Sequence, residues 1–146
     1  MLIDAQNLPL VAMDFMNTTH FEDVEIINRL YKALENYIKN SNEVNARKVS
    51  DVYTEWFEHT IEHFKTEETM MQERAFPPYM MHKGEHDRAL SMMDNVFRNW
   101  NNNKDANDLI KYLKEDMSPW LIQHIQTMDT VTAMFFKSGM SPCSAR

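Results

Sequence analysis

Apolar residues recur with a period near 3.6 along most of this chain, and that period constrains the fold more than any other feature. Val24, Ile27, Leu30, Tyr31, Leu34 and Ile38 form one stripe, which predicts a helix from about Thr18 to Ile38 with Asn17 as its N-cap. Val49, Val52, Tyr53, Trp56, Phe57, Thr60, Phe64 and Glu67 form a second, over about Val44 to Gln72. Pro77-Pro78 must end it, because proline lacks the N–H and restricts its predecessor. A third helix is predicted from about Tyr79 to Trp100, and "NNNKD" at 101–105 reads as a turn before a fourth that begins near Ala106. Ser118-Pro119 carries a helix-start signal inside that fourth stretch, so a kink or two pieces, about 106–116 and 119–137, are expected.

Only two glycines and five prolines occur in 146 residues, too few for the turns an all-β fold needs. The expected fold is all-α, an up-down-up-down four-helix bundle with short connections, its last helix kinked or broken near Ser118-Pro119. The length suits one domain, expected over residues 1–138, able to bury about 70 % of its unfolded surface. Residues 139–146 form a small polar stretch, begun by the helix stop Gly139 and expected to be disordered, in which Cys143 is an exposed thiol without a role. Thirteen methionines, several in adjacent pairs, read as flexible core filling.

The formal charge of −7 disfavours nucleic acid as a partner. No apolar run is long enough to span a membrane, and the first residues lack the pattern of a secretory leader. With one cysteine, no disulfide forms within the chain, and a cytoplasmic location is expected.

The six histidines are spread over all four predicted helices: His20 on the first, His59 and His63 on the second, His82 and His86 on the third, and His124 on the fourth. Facing helices of a bundle build metal sites in this way. His82 and His86 lie four apart on one face, as do His63 and Glu67, but also His59 and His63. His124 and Asp129 are five apart, about 140° around an α-helix, so they are not expected to stack, though they could flank a centre between helices, each from its own side. Histidines with carboxylates suit divalent iron, zinc or manganese. Five histidines and two carboxylates exceed what one structural zinc takes and fit two bridged metals.

Residues 82–86, His-Lys-Gly-Glu-His, also match a zinc-protease signature, H-x-x-E-H. Such a site needs one further ligand and a substrate cleft, and Glu85 is expected on another side of the helix, facing solvent. The match is taken as accidental. The ferritin-like di-iron class uses Glu-x-x-His, and no histidine here has Glu three positions earlier.

The strings "NTTH" ending at His20, "HFKTEE" from His63, "HKGEH" from His82 and "WLIQHIQTMD" ending at Asp129, in that order, resemble the hemerythrin family, and specifically its single-domain bacterial members. Each motif alone is weak; four in order on four helices are specific. The resemblance implies a non-haem di-iron protein that binds O2 reversibly as hydroperoxide, for carriage, storage or delivery. It implies that His82, His86 and His124 hold one iron, that His20 and His63 hold the second, and that Glu67 and Asp129 bridge them beside an oxo or hydroxo group. The second iron would keep an open position for O2. Phe64, Trp120, Leu121 and Ile125 would wall the O2 pocket. His59 has no counterpart in the motifs and is expected not to be a ligand.

No catalytic residue is assigned, and an O2-binding role is favoured over an enzymatic one. The alternative is a di-iron enzyme or sensor component acting on peroxide or nitric oxide. Besides O2, an O2-sensitive or O2-using enzyme is the partner considered. Three departures stand out: Asn17 where many relatives carry Asp, Asp23 where relatives usually carry an apolar residue, and Ser118-Pro119 just before Trp120. Asp23 would border the pocket and speed autoxidation if it faces the centre, and change nothing if it faces solvent.

Overall fold

The computed structural model describes residues 1–138; Gly139, Cys143 and the expected disordered tail lie outside them. Four helices make up the molecule: α1 (Asp14–Lys39), α2 (Glu43–Glu73), α3 (Tyr79–Asn103) and a composite α4 over residues 106–138. They form the expected four-helix bundle, each packing against its chain neighbours and α4 closing back on α1.

The helix ends show how a glycine-poor chain stops its helices. Ala75 after α2 and Lys104 after α3 take the left-handed conformation, both with φ 52°. A side chain there costs roughly 1–2 kcal/mol. The Arg74 guanidinium donates to the Phe136 carbonyl at 2.7 Å, which ties this corner to α4. α3 runs through the asparagines to Asn103, three residues beyond the predicted end.

α1 begins a turn earlier than expected, with Met13 as its N-cap. Asn17 therefore does not cap the helix. Its side chain instead accepts from Val11 N–H and donates to Val11 C=O, both at 2.9 Å, and pins the incoming segment.

α4 is composite with a junction at Ser118-Pro119, as expected, although no cap makes it. Ser118 has helical backbone angles, so it is no N-cap; a new α-helical piece, Ser118–His124, begins with it and holds Pro119 in its first turn. The preceding segment, Tyr112–Met117, widens into a π-turn. The Ser118 N–H and hydroxyl both reach the Leu113 carbonyl five residues back, the hydroxyl at 2.7 Å. The wider turn accommodates Pro119, which has no N–H to offer the carbonyl four residues behind it. A second π-turn covers Ile125–Asp129.

Two apolar clusters fill the bundle. The larger includes Leu30, Leu34, Val49, Tyr53, Trp56, Trp100 and Leu113, and the smaller gathers Met16, Met71, Phe76, Ala133, Phe135 and Phe136. Met71 and Met93 are buried as core fillers, but Met80 and Met81 are exposed, so that pair does not fill the core. Between the clusters lies a band of buried polar side chains: His20, His63, Glu67, His82, His86, His124 and Asp129.

Candidate metal centre

Helical spacing delivers these seven groups to one place. His20 sits one turn after Met16 on the inner face of α1, and Glu67 one turn before Met71 on α2. His63 stacks under Glu67, and its Nε2 lies 2.7 Å from Glu67 Oε2. His82 and His86 lie a turn apart on α3, ring centroids 4.4 Å apart.

His124 and Asp129 do stack, against the expectation from an ideal α-helix. The π-turn Ile125–Asp129 adds one residue to the turn, so residues five apart come onto nearly one face. His124 Nε2 and Asp129 Oδ1 are 3.2 Å apart as a result. The Thr130 hydroxyl holds the wide turn by donating to the Ile125 carbonyl at 2.7 Å.

The ligand atoms of Glu67, His82, His86, His124 and Asp129 all lie within 4.8 Å of one another, and those of His20, His63 and Glu67 do the same. The two carboxylates join the groups. Glu67 turns Oε2 to His63 and Oε1 to His82 and His86, at 3.5 Å from each Nε2. Asp129 turns Oδ2 to His20 Nε2 at 3.0 Å and Oδ1 to His82 and His124, at 3.2 Å from each.

Several of these contacts are close without being hydrogen bonds. Glu67 Oε1, Asp129 Oδ1 and His86 Nε2 are buried with no hydrogen-bond partner among the described residues. Buried acceptors left unpaired cost about 1–3 kcal/mol each. Lone pairs that converge without pairing are what a cation-binding cage presents. Nitrogen and oxygen donors with no sulfur suit iron, zinc or manganese. The donor set therefore fits a pair of such ions.

Outer atoms set the imidazole orientations. His82 Nδ1 meets the Thr132 hydroxyl at 2.7 Å, His86 Nδ1 meets Glu68 at 2.8 Å, and His124 Nδ1 meets Glu85 at 2.8 Å. Glu85 thus points between helices onto His124 and not to solvent, contrary to expectation. It follows His82 by three residues, which turns it toward α4. His63 Nδ1 donates to Asp23 at 2.9 Å, whereas His20 Nδ1 is buried with no hydrogen-bond partner among the described residues. Asp23 was singled out by the sequence, but Glu68, Glu85 and Thr132 carried no signal as outer partners.

Charge follows from this packing. Burial opposes ionisation of Asp129, yet His124, His20 and His82 hold its carboxyl well below the usual range. Burial lowers His82, but Asp129 and Glu67 outweigh it and lift the imidazole to about 9. Burial also opposes charge on His63 and His124, while Glu67 and Asp23 raise the first and Asp129 and Glu85 the second. His86 is pushed far down by burial and by the neighbouring imidazoles.

A cavity of about 310 Å³ opens beside the site, and His63, His124 and Asp129 reach its wall. Phe64, Trp120 and Leu121 line it, together with Ile27, Trp56 and Met117. Ile125 is fully buried in the larger apolar cluster and is not among the lining residues. Phe64 stacks on His86 with centroids 3.8 Å apart, and Trp120 stacks on His124 at 4.6 Å. Asp23 is buried in the same wall. His59 lies outside both ligand groups, with Nδ1 2.6 Å from Asp23.

The hemerythrin HHE cation-binding domain model matches residues 11–135. The chain belongs to the hemerythrin family. It is 32 % identical over 133 residues to a bacteriohemerythrin of Aquifex aeolicus, covering 91 % of this chain and 96 % of that one. Bacteriohemerythrins of Stenotrophomonas maltophilia (24 % identical, 90 % of this chain and 79 % of that one) and Pseudomonas aeruginosa (25 %, 82 % and 76 %) are also similar. No solved structure gives a significant match. A hemerythrin domain implies iron, and the buried histidine–carboxylate cluster is where this hemerythrin could hold it. No helix among the described residues is long and apolar enough to cross a membrane.

Proposed function

We propose that this hemerythrin holds two iron ions on His20, His63, Glu67, His82, His86, His124 and Asp129, and that it binds O2 reversibly for carriage, storage or delivery to an O2-using enzyme. The observation that carries the reading is the division of the two carboxylates. Each presents one oxygen to the two-imidazole group and the other to the three-imidazole group, as bridges between two ions would. The likeness to bacteriohemerythrins supports it. Iron held there would supply the two reducing electrons that O2 binding needs.

The chain supplies the rest. His82, His86 and His124 would offer three nitrogens to one ion and His20 and His63 two to the other, so the two-imidazole end has fewer protein donors. Phe64 and Trp120 cover two of the imidazoles and keep water off them. Leu121 adds apolar wall to the cavity through which a small neutral ligand would arrive.

One observation favours the second reading, an enzyme or sensor component acting on peroxide or nitric oxide. The cavity wall carries the buried Asp23 carboxylate, a charged group where an O2 carrier is better served by an apolar one. Stopped-flow mixing of the anaerobically iron-loaded protein with O2 separates the two. The first reading expects a long-lived O2-dependent absorption band that vanishes when O2 is removed. Immediate bleaching, with turnover of peroxide or nitric oxide, would replace it with the second.

A further inference from the structure

Among the outer partners of the imidazoles, one is itself tied down by a further imidazole. Asp23 lies three residues beyond His20 on α1, buried, and its two oxygens are divided. Oδ2 accepts from His63 Nδ1 at 2.9 Å, and Oδ1 accepts from His59 Nδ1 at 2.6 Å. His59 stands one turn before His63 on α2, with its side chain a quarter exposed and Nε2 3.6 Å from Glu22 Oε1. The line Glu22, His59, Asp23, His63 crosses from the surface to the ligand cluster and stitches α1 to α2.

The other outer partners differ. Thr132 is a neutral hydroxyl, and Glu68 and Glu85 each meet a single imidazole with 18 % and 24 % of the side chain exposed, against 5 % for Asp23. A carboxylate that accepts from Nδ1–H fixes the tautomer and makes the opposite nitrogen a stronger donor. Burial strengthens that effect, because solvent screens it less.

We propose that Asp23 and His59 are positioning residues for His63. Asp23 holds the ring with Nε2 aimed beside Glu67 and adds anionic character to that one ligand, and His59 stops Asp23 from turning away. The proposal rests on reading the cluster as an iron site. Its consequence is local: the ion at the two-imidazole end is held more tightly and is easier to oxidise than it would be with an apolar residue at position 23.

The test uses the full chain loaded with Fe(II) under anaerobic conditions, comparing wild type with Asp23→Asn, Asp23→Leu and His59→Ala. Iron retention against a chelator and the midpoint potential are measured, and circular dichroism checks the helices. Asp23→Asn is expected to weaken retention about 10–100-fold and to move the potential in the positive direction, since a weaker donor favours Fe(II). His59→Ala should move both in the same direction by less. If Asp23→Leu fails to fold, the near-isosteric Asp23→Asn and the part-exposed His59→Ala still decide. Variants that melt earlier but keep wild-type potential and retention would overturn the proposal alone. A wild type that takes up no iron would overturn the site reading, and this proposal with it.

Discussion

The two ends of the buried cluster are built to different standards. At the three-imidazole end every outer nitrogen is occupied: His82 by Thr132, His86 by Glu68, His124 by Glu85. At the two-imidazole end His63 is anchored by Asp23, and His20 Nδ1 has no hydrogen-bond partner among the described residues. Phe64 and Trp120 stack face-on upon imidazoles of the first end. The contrast suggests a division of labour. On the proposed reading, one end would hold its ion fixed in place, and the other, with fewer imidazoles, would be the one where chemistry occurs beside the cavity.

The most damaging substitution should be one that both ends share. Glu67→Ala removes the oxygens facing His63 on one side and His82 and His86 on the other, so bound iron should fall to near zero by metal analysis. If only one ion were lost, Glu67 would not serve both ends. Next in size, His20→Ala should release the ion of the weaker end and leave the other in place, while His82→Ala should disturb both carboxylates and lose more. Equal losses in the two variants would erase the proposed asymmetry.

Outer partners should matter less than ligands. Glu68→Gln or Glu85→Gln each should weaken iron retention about 10–100-fold, measured by chelator competition. Both act on the three-imidazole end, where two other anchored rings remain, so the lower part of that range is expected.

A further effect is a dependence on pH. Protons compete with metal for the same nitrogens. His63, His82 and His124 are raised above the usual imidazole value by nearby carboxylates, His82 to about 9, so metal uptake must displace their protons. Apparent affinity should therefore rise as pH increases from about 6.5 to about 9 and then level off. In metal-free protein the sign reverses. A raised imidazole stabilises the fold fully below about 6.5, and that contribution is lost as pH climbs through about 9. Thermal melts of the two forms across this range should diverge, and parallel curves would show that the imidazoles are not the competing groups.

Part of this arrangement could be read from spacing. The separation of four between His63 and Glu67, and between His82 and His86, fixes a shared face in any α-helix, but the same separation links His59 and His63; the set of seven comes from the resemblance to hemerythrins, and the structure brings those seven together. What escaped was what departs from ideal helix geometry or crosses between helices. The π-turn at Ile125–Asp129 brings His124 and Asp129 together, but no local residue preference announces it. Ser118-Pro119 did mark a junction in the last helix, but the π-turn that precedes it had no local signal. Asn17 looks like a cap, and its amide is used to pin Val11. Glu85 seemed to face solvent because one helix considered alone cannot show that α4 brings His124 within 2.8 Å.

Iron stoichiometry tests the central claim most directly. After anaerobic loading with Fe(II) and removal of loosely bound metal, the account predicts two iron ions per chain, with the ion at the His20–His63 end released first on chelation. One ion per chain, or none, would contradict the claim that Glu67 and Asp129 are shared between two metals.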